Sequence, residues 1–484
     1  MTSTLPKNTV TTLNTEPLHY HDATALADLI ATKQVSSREV VQAHLDRIAD
    51  VNPKINAIVT LLADEALHAA DAADAAVASG AELGPLHGVP VTVKDSIDTA
   101  GVLTQGGSKV LEGRVPAADG TSVARFKAAG GIVLAKTNLP EISAWTETDN
   151  LVTGRTNNPW NLDRTPGGSS GGESAALAAG MSPIGIGSDV AISVRGPAAF
   201  TGIAALKATH GRIPFTGHLA PMTSSLFHVG PMARTVRDVA LGYSILSGPD
   251  GVDGYAVHAK DTDSASARIP GQTIRVGWVS DDAFGPIDPE ITAAVADAAA
   301  RLVDLGCHVE RIDAPFLRDT DALTATMTLF YSRLVPYIKE LAAGREGELH
   351  ATGTGIVEMA NPTYAQLLAA RETQEALRSA FVDYFRDYDV LLCPVTPTTA
   401  TPHGAQELVI DGVTASWLHV MDITSYFNLT GLPALSVPYG FSTESLPIGI
   451  QLVSQWFDEA TILRLGALLE RRGGLGDRRP PLSA

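Results

Sequence analysis

Two serines stand inside a glycine-rich run, PGGSSGGE at 166–173, and a third, Ser193, follows further along the chain. A serine hydroxyl is a weak nucleophile and needs an adjacent base. Two lysines are placed to act as one: Lys94 follows the apolar stretch GVPVTV (88–93), and Lys136 follows GGIVLA (130–135). A lysine is a base only when neutral, so its reference pKa of about 10.4 must fall by roughly 3 units, or ~4 kcal/mol. Burial at a strand end has that effect. Glycines flanking Ser169 and Ser170 permit positive φ and close backbone approach. The helix that follows them presents unpaired N–H groups, which favour negative charge. Other readings fit less well. A phosphate-binding P-loop needs a lysine after its glycines, and none is present. The pattern G-x-S-x-G of a nucleophile elbow matches twice, but an elbow needs a strand directly before the serine, and here NLDRTP precedes it. The spacing S-x-x-K is absent, and no Cys/His cluster suggests a metal site.

The elements around these residues decide whether they can meet. The stretches 88–93 and 130–135 alternate as buried strands, with a helix predicted over about 119–129 between them. Residues 173–181 read as a helix of small residues about 15 Å long, and 182–189 as a strand that must run back. That return brings 189–193 beside the start of the helix, so Ser169 and Ser193 become neighbours. On these grounds alone Lys94 and Lys136 both remain candidates. Upstream, residues 22–50 predict two short helices. The first carries Leu26, Leu29 and Ile30. The second opens on the capping box Ser36–Glu39 and closes at Asn52–Pro53. A further helix covers 63–80, and IRVGWVS (274–280), VLLCPV (390–395), ALSVPYG (434–440) and GIQLVSQW (449–456) read as strands. Strand–helix alternation of this kind indicates an α/β fold. One domain over 18–475 is expected, with its core at 70–240 and 385–470, a cap-like helical portion at about 240–385, and a loose segment at 1–17.

The chain resembles the amidase signature family. The resemblance rests on GVPVTVKD (88–95), KTNLPE (136–141), NPW (158–160), PGGSSGGE (166–173), the stretch from Gly187 to Gly202, and HVGPMARTVRD (228–238). Weaker matches continue through DVLLCPVTP (389–397), FNLTGLPALSVP (427–438) and LPIGIQLV (446–453). It implies a large mixed β-sheet with helices on both faces and cleavage of amide-type C–N bonds without a cofactor. By the family pattern Ser193 is the nucleophile, Ser169, preceded by a cis peptide, relays the proton, and Lys94 is the base. The backbone of Val190, Ala191, Ile192 and Ser193 forms the oxyanion hole. Ser170 braces the loop, and Asp189 and Arg195 brace the turn as an ion pair. One departure stands out: the family's D-x-G-G-S is here Asp189–Val190–Ala191–Ile192–Ser193. Backbone donors survive a change of side chain, so the hole persists if φ stays negative at Ile192. This variant resembles members that act as urethanases. The expected substrates are therefore aryl amides and carbamates. The alternatives are an amidotransferase component working with a partner protein, and a catalytically silent relative.

Trp145, Phe227, Tyr331 and Trp417 are the aromatic candidates for a substrate pocket. A formal net charge of -18 argues against nucleic acid and an anionic membrane surface. No apolar run reaches the length of a membrane span. The Thr-rich N-terminus lacks the apolar core of a secretory signal, so a cytoplasmic enzyme of a small-molecule amide or carbamate is expected, with a homodimer admitted as its assembly. The two cysteines, Cys307 and Cys393, read as buried thiols.

Overall fold

The computed structural model describes residues 16–219, 226–259, 273–471 and 478–482. Most of the segment expected to be loose, up to residue 15, lies outside these residues. Among these residues eleven strands form one mixed sheet in the order Ile58–Leu61, Ile132–Thr137, Pro90–Lys94, Ile184–Asp189, His228–Ala233, Ala204–Lys207, Ala434–Phe441, Pro447–Ser454, Val390–Pro394, Arg275–Trp278 and His308–Arg311. Two parallel blocks carry it. Pro90–Lys94 lies parallel to both Ile132–Thr137 and Ile184–Asp189. Arg275–Trp278 lies parallel to both His308–Arg311 and Val390–Pro394. The remaining neighbours are antiparallel.

Side-chain alternation sends the two faces of this sheet into different cores. Val91, Val93, Ile184 and Ile186 pack with Val123 and Phe126 of the helix Thr121–Ala128 and with Val236 and Val239 of the helix Val236–Leu246. Ile132 and Ala135 face the other way. They pack with Val41, Leu45 and Ile48 of the helix Ser37–Ile55, with Ala66 and Ala70 of the helix Ala63–Ser79, and with Ala175 and Ala176 of the helix Gly171–Ala178. The sheet is thus covered on both faces, as the α/β reading requires.

The capping box at Ser36 is present, with Ser36 accepting from the Glu39 N–H and Glu39 accepting from the Ser36 N–H. Pro53 does not end that helix, which continues to Ile55 and closes on Asn56 at φ 56°. The Asn52 side chain holds the exit by accepting from the N–H groups of Ala57 and Ile58. The stretch 240–385, expected to be a helical cap with a strand near 274–280, supplies Arg275–Trp278 and also the edge strand His308–Arg311. The short, largely exposed pattern of His308–Arg311 carries little hydrophobic signal, which is why that strand is not legible in the sequence. Cys393 is buried, whereas Cys307 is only partly so. Among the described residues no helix is long and apolar enough to cross a membrane.

Candidate active site

The glycine-rich loop sits at the C-terminal ends of the first parallel block. Gly167 holds φ at +84°, and the peptide between Gly168 and Ser169 is cis. A Cβ at Gly172 would lie 2.4 Å from the backbone nitrogen of Asn138. Only glycine lets the helix Gly171–Ala178 start this close to the end of the neighbouring strand. The strand Ile184–Asp189 then returns as expected, and the Ser170 N–H donates to the Ser193 carbonyl at 3.1 Å. The two serine segments are thereby tied together.

Lys94 ends its strand fully buried, and its Nζ donates to Ser169 Oγ at 2.7 Å and to Ser188 Oγ at 3.1 Å. Burial pulls its pKa down to about 7, against the opposing pull of Asp189 and Glu173. Lys136 is equally buried but points elsewhere. Its Nζ donates to the Ile97 carbonyl, to Thr99 Oγ1 at 3.1 Å and to Thr104 Oγ1 at 3.1 Å. Strand register is the reason. Lys94 pairs with Thr137 and Val93 with Lys136, and paired residues share a face. Lys94 and Thr137 face the helix Gly171–Ala178, where Thr137 donates to Glu173, while Lys136 turns to the opposite face. Glu173 also accepts from Thr92 at 2.5 Å, and its burial raises its pKa to about 7.

The turn from Asp189 to Ser193 is held from below. Arg195 and Asp189 form a fully buried ion pair at 3.0 Å, and Asp189 also accepts from the Val194 N–H at 3.0 Å. Arg195 and Asn428 hold Asp189 well ionised, overcoming the upward effect of burial. Arg195 further donates to the Ala191 carbonyl, Gln451 Oε1 and the Thr424 carbonyl, each at 3.1 Å. Among the described residues, no residue from Val190 to Ser193 has positive φ. The N–H groups of Val190, Ala191, Ile192 and Ser193 donate to no acceptor among the described residues. The Ile192 side chain turns into the protein. Its Cγ1 and Cδ1 lie 2.5 and 2.6 Å from where a Cβ on Gly196 would stand, and it packs with Phe200, Trp417 and Met421. Bulk at this position is thus absorbed by the missing side chain at Gly196. Ser170 exchanges hydrogen bonds with the Ser188 backbone at 3.3 Å in both directions.

The aromatic candidates separate. Trp417 is buried and donates from Nε1 to Thr146 Oγ1 at 2.9 Å. Thr146 in turn lies against Gly168, so Trp417 stands directly behind the serine loop. Phe227 packs with Phe215, His218 and Phe330, and Tyr331 packs on Phe330. Trp145 is 36% exposed. Two residues that the sequence did not single out reach the site: Ser188, beside Lys94, and His218, whose Nε2 lies 3.0 Å from Ser188 Oγ. Ser188 was not legible from strand pairing: Val93 lies beside Ile186, so alternation puts Ser188 on the face opposite Lys94, which reaches it only past the strand end. His218 comes from a loop without a local signal.

The model of the family described as Amidase matches residues 39–463. By sequence the chain is 37% identical over 482 residues to a component of the glutamyl-tRNA(Gln) amidotransferase of Acidothermus cellulolyticus, covering 93% of each chain. By structure it is similar to a 6-aminohexanoate cyclic dimer hydrolase, with a TM-score of 0.85, 30% identity, and 96% and 99% of the two chains covered. It is also similar to a bacterial aryl acylamidase of the amidase signature enzymes, with a TM-score of 0.84, 28% identity, and 94% and 97% covered. The chain belongs to the amidase signature family, as an enzyme that acts on C–N bonds.

Proposed function

We propose that the protein hydrolyses amide-type C–N bonds through an acyl-enzyme on Ser193. The observation that carries this reading is the 2.7 Å contact between a fully buried Lys94 and Ser169. Neutral Lys94 takes the Ser169 proton as Ser169 takes that of Ser193, and Ser193 Oγ adds to the substrate carbonyl. The N–H groups of Val190, Ala191, Ile192 and Ser193 receive the oxyanion. The proton returns through Ser169 to the leaving nitrogen, the C–N bond breaks, and water then releases the acyl group.

Within this reading we assign aryl amides and N-aryl carbamates as the substrate class. The turn Asp189–Val190–Ala191–Ile192–Ser193 and the similarity to an aryl acylamidase support it. In a carbamate, cleavage of the C–N bond frees the arylamine and leaves a carbonate ester on Ser193, which water converts to the alcohol and carbon dioxide. Purified protein is assayed on an anilide and on the matching N-aryl carbamate. Amine release from both is expected, and Ser193→Ala abolishes it. Release from the anilide alone removes carbamates from the assignment.

A second reading is an amidotransferase component, and the curated relatives found by sequence favour it over the hydrolase. The replacement of the double glycine, together with structural neighbours that are hydrolases, favours free-standing hydrolysis. The discriminating observation is whether the chain purified alone turns over. Inactivity alone, with glutamine hydrolysis appearing once a stoichiometric copurifying protein is restored, selects the amidotransferase. Failure of a fluorophosphonate to label Ser193 selects a silent relative.

A further inference from the structure

Behind Lys94 runs a second hydrogen-bond path that the chemistry above does not use. Lys94 Nζ lies 3.1 Å from Ser188 Oγ, and Ser188 Oγ lies 3.0 Å from His218 Nε2. His218 is firmly seated. Its backbone bridges to Ile97, and the following N–H, of Leu219, donates to the Ser96 carbonyl at 2.7 Å. Its ring stacks on Phe215 at 4.4 Å and lies near Phe227. Burial, and next the lysine charges of Lys94 and Lys136 facing it, hold its pKa well below the ordinary histidine value. The imidazole is therefore neutral, with one N–H and one lone pair.

The count of protons fixes what this path can do. A neutral lysine amine has two N–H groups and one lone pair, and as a base it must offer that lone pair to Ser169. If Ser188 pointed its O–H at Lys94, the lone pair would be occupied. Once Lys94 has taken the proton it is an ammonium with three N–H groups and nothing to accept with. Ser188 Oγ then receives an N–H from it, and the Ser188 O–H must find another acceptor. His218 Nε2 stands at that place. The matching tautomer carries its proton on Nδ1, which is buried with no hydrogen-bond partner among the described residues. Unsatisfied groups of this kind call for an explanation, and a working site supplies one.

Resting on the reading of Lys94 as base, we propose that His218 is a positioning residue that accepts from Ser188, keeps the Lys94 lone pair directed at Ser169, and stabilises the Lys94 ammonium formed during acylation. Lysine alone at a strand end is desolvated and weak as a proton acceptor. The Ser188–His218 arm gives the developing charge a polarised hydrogen bond that the neutral amine does not need to the same degree.

The test is the pH dependence of Ser193 labelling by a fluorophosphonate in the full chain. The variants are His218→Phe, which keeps an aromatic ring against Phe215 but has no acceptor, His218→Gln, whose amide oxygen can accept, and Ser188→Ala. In His218→Phe and Ser188→Ala the acid limb is expected to move to lower pH by about one unit and the alkaline plateau to fall about tenfold, as one lost hydrogen bond to an ionised donor implies. His218→Gln is expected to restore the wild-type limb. Thermal unfolding of each variant reports folding, and Ser188→Ala carries the same readout if His218→Phe does not fold. A wild-type limb and plateau in His218→Phe overturns the proposal. So does an equal loss in His218→Phe and His218→Gln at every pH, which would be packing alone. Labelling that survives Lys94→Met overturns instead the base assignment on which the proposal rests.

Discussion

Replacing Lys94 by Met should kill turnover and at the same time relieve a pH-dependent burden on the fold. The pKa of Lys94 is lowered from 10.5 to about 7, with burial as the largest cause. Between those two values the unfolded chain holds a proton on this residue and the folded protein does not. Stability of the wild type therefore rises with pH through that window, and below it the contribution is flat because both states are protonated. At 1.36 kcal/mol per unit, the cost of folding with Lys94 is ~4 kcal/mol at pH 7 and ~2 kcal/mol at pH 9. Lys94→Met has no such cost. It gives up two hydrogen bonds, to Ser169 and Ser188, each a net ~1 kcal/mol, and this loss does not follow the same pH curve. The stability of Lys94→Met relative to wild type should thus decline by ~2 kcal/mol from pH 7 to pH 9. Denaturant unfolding of both proteins at the two pH values measures this. In parallel, the wild-type rate should rise with pH through a midpoint near 7 and then level off, as the base loses its proton. A stability difference that stays constant between the two pH values would mean that Lys94 is not neutral in the folded protein, and the base assignment would fall with it.

Other substitutions separate the roles of neighbouring groups. Ser193→Ala should remove all turnover with an unchanged unfolding curve, whereas Ser169→Ala should lose about 10²–10⁴-fold, the usual range for one proton-transfer group; initial rates on an anilide compare them. Lys136→Met should keep turnover within roughly tenfold of wild type, because its amine is bound to Ile97, Thr99 and Thr104 and not to a serine of the loop. Gly196→Ala would place a Cβ 2.5 Å from Ile192 Cγ1 and should cost ~1–3 kcal/mol by overpacking beneath the oxyanion turn. Ile192→Ala in the same chain should recover most of that loss, and a double-mutant cycle on both stability and rate reads the coupling.

Much of the site was legible in the sequence because its parts are local. Gly167, Gly168, Gly171 and Gly172 around Ser169 and Ser170, the capping box at Ser36, and the small-residue helix that follows the loop are all set by neighbours within a few positions. The return of 184–189 past that helix follows from two element lengths, and it brings Ser193 to the loop through the Ser170–Ser193 hydrogen bond. The Asp189–Arg195 pair lies within one turn. Less was legible where a group is supplied from far along the chain. Asn428 and Gln451, which hold Arg195, lie in stretches that match the family, but nothing local in those stretches points to Arg195; His218, which reaches Ser188, carries no pattern of its own. The Ile192–Gly196 fit needed coordinates, because direction of a side chain in a turn is not periodic.

The choice between the two lysines marks the boundary most clearly. From residue type and strand pattern alone, Lys94 and Lys136 were equivalent: each closes a buried strand of the same parallel pair. Only resemblance to a family separated them at that level. In the folded protein the register slips between Val91 and Thr92, so Thr92 lies beside Ala135 and Lys94 beside Thr137. Without that slip Lys94 and Lys136 would pair and face the same way. Because side chains alternate with a period of two, a shift of one residue sends them to opposite faces of the sheet. One lysine meets Ser169 and the other is bound among backbone and threonine oxygens. Residue pattern is enough to place a lysine at a strand end next to a serine loop; the register of the folded sheet selects which lysine it is.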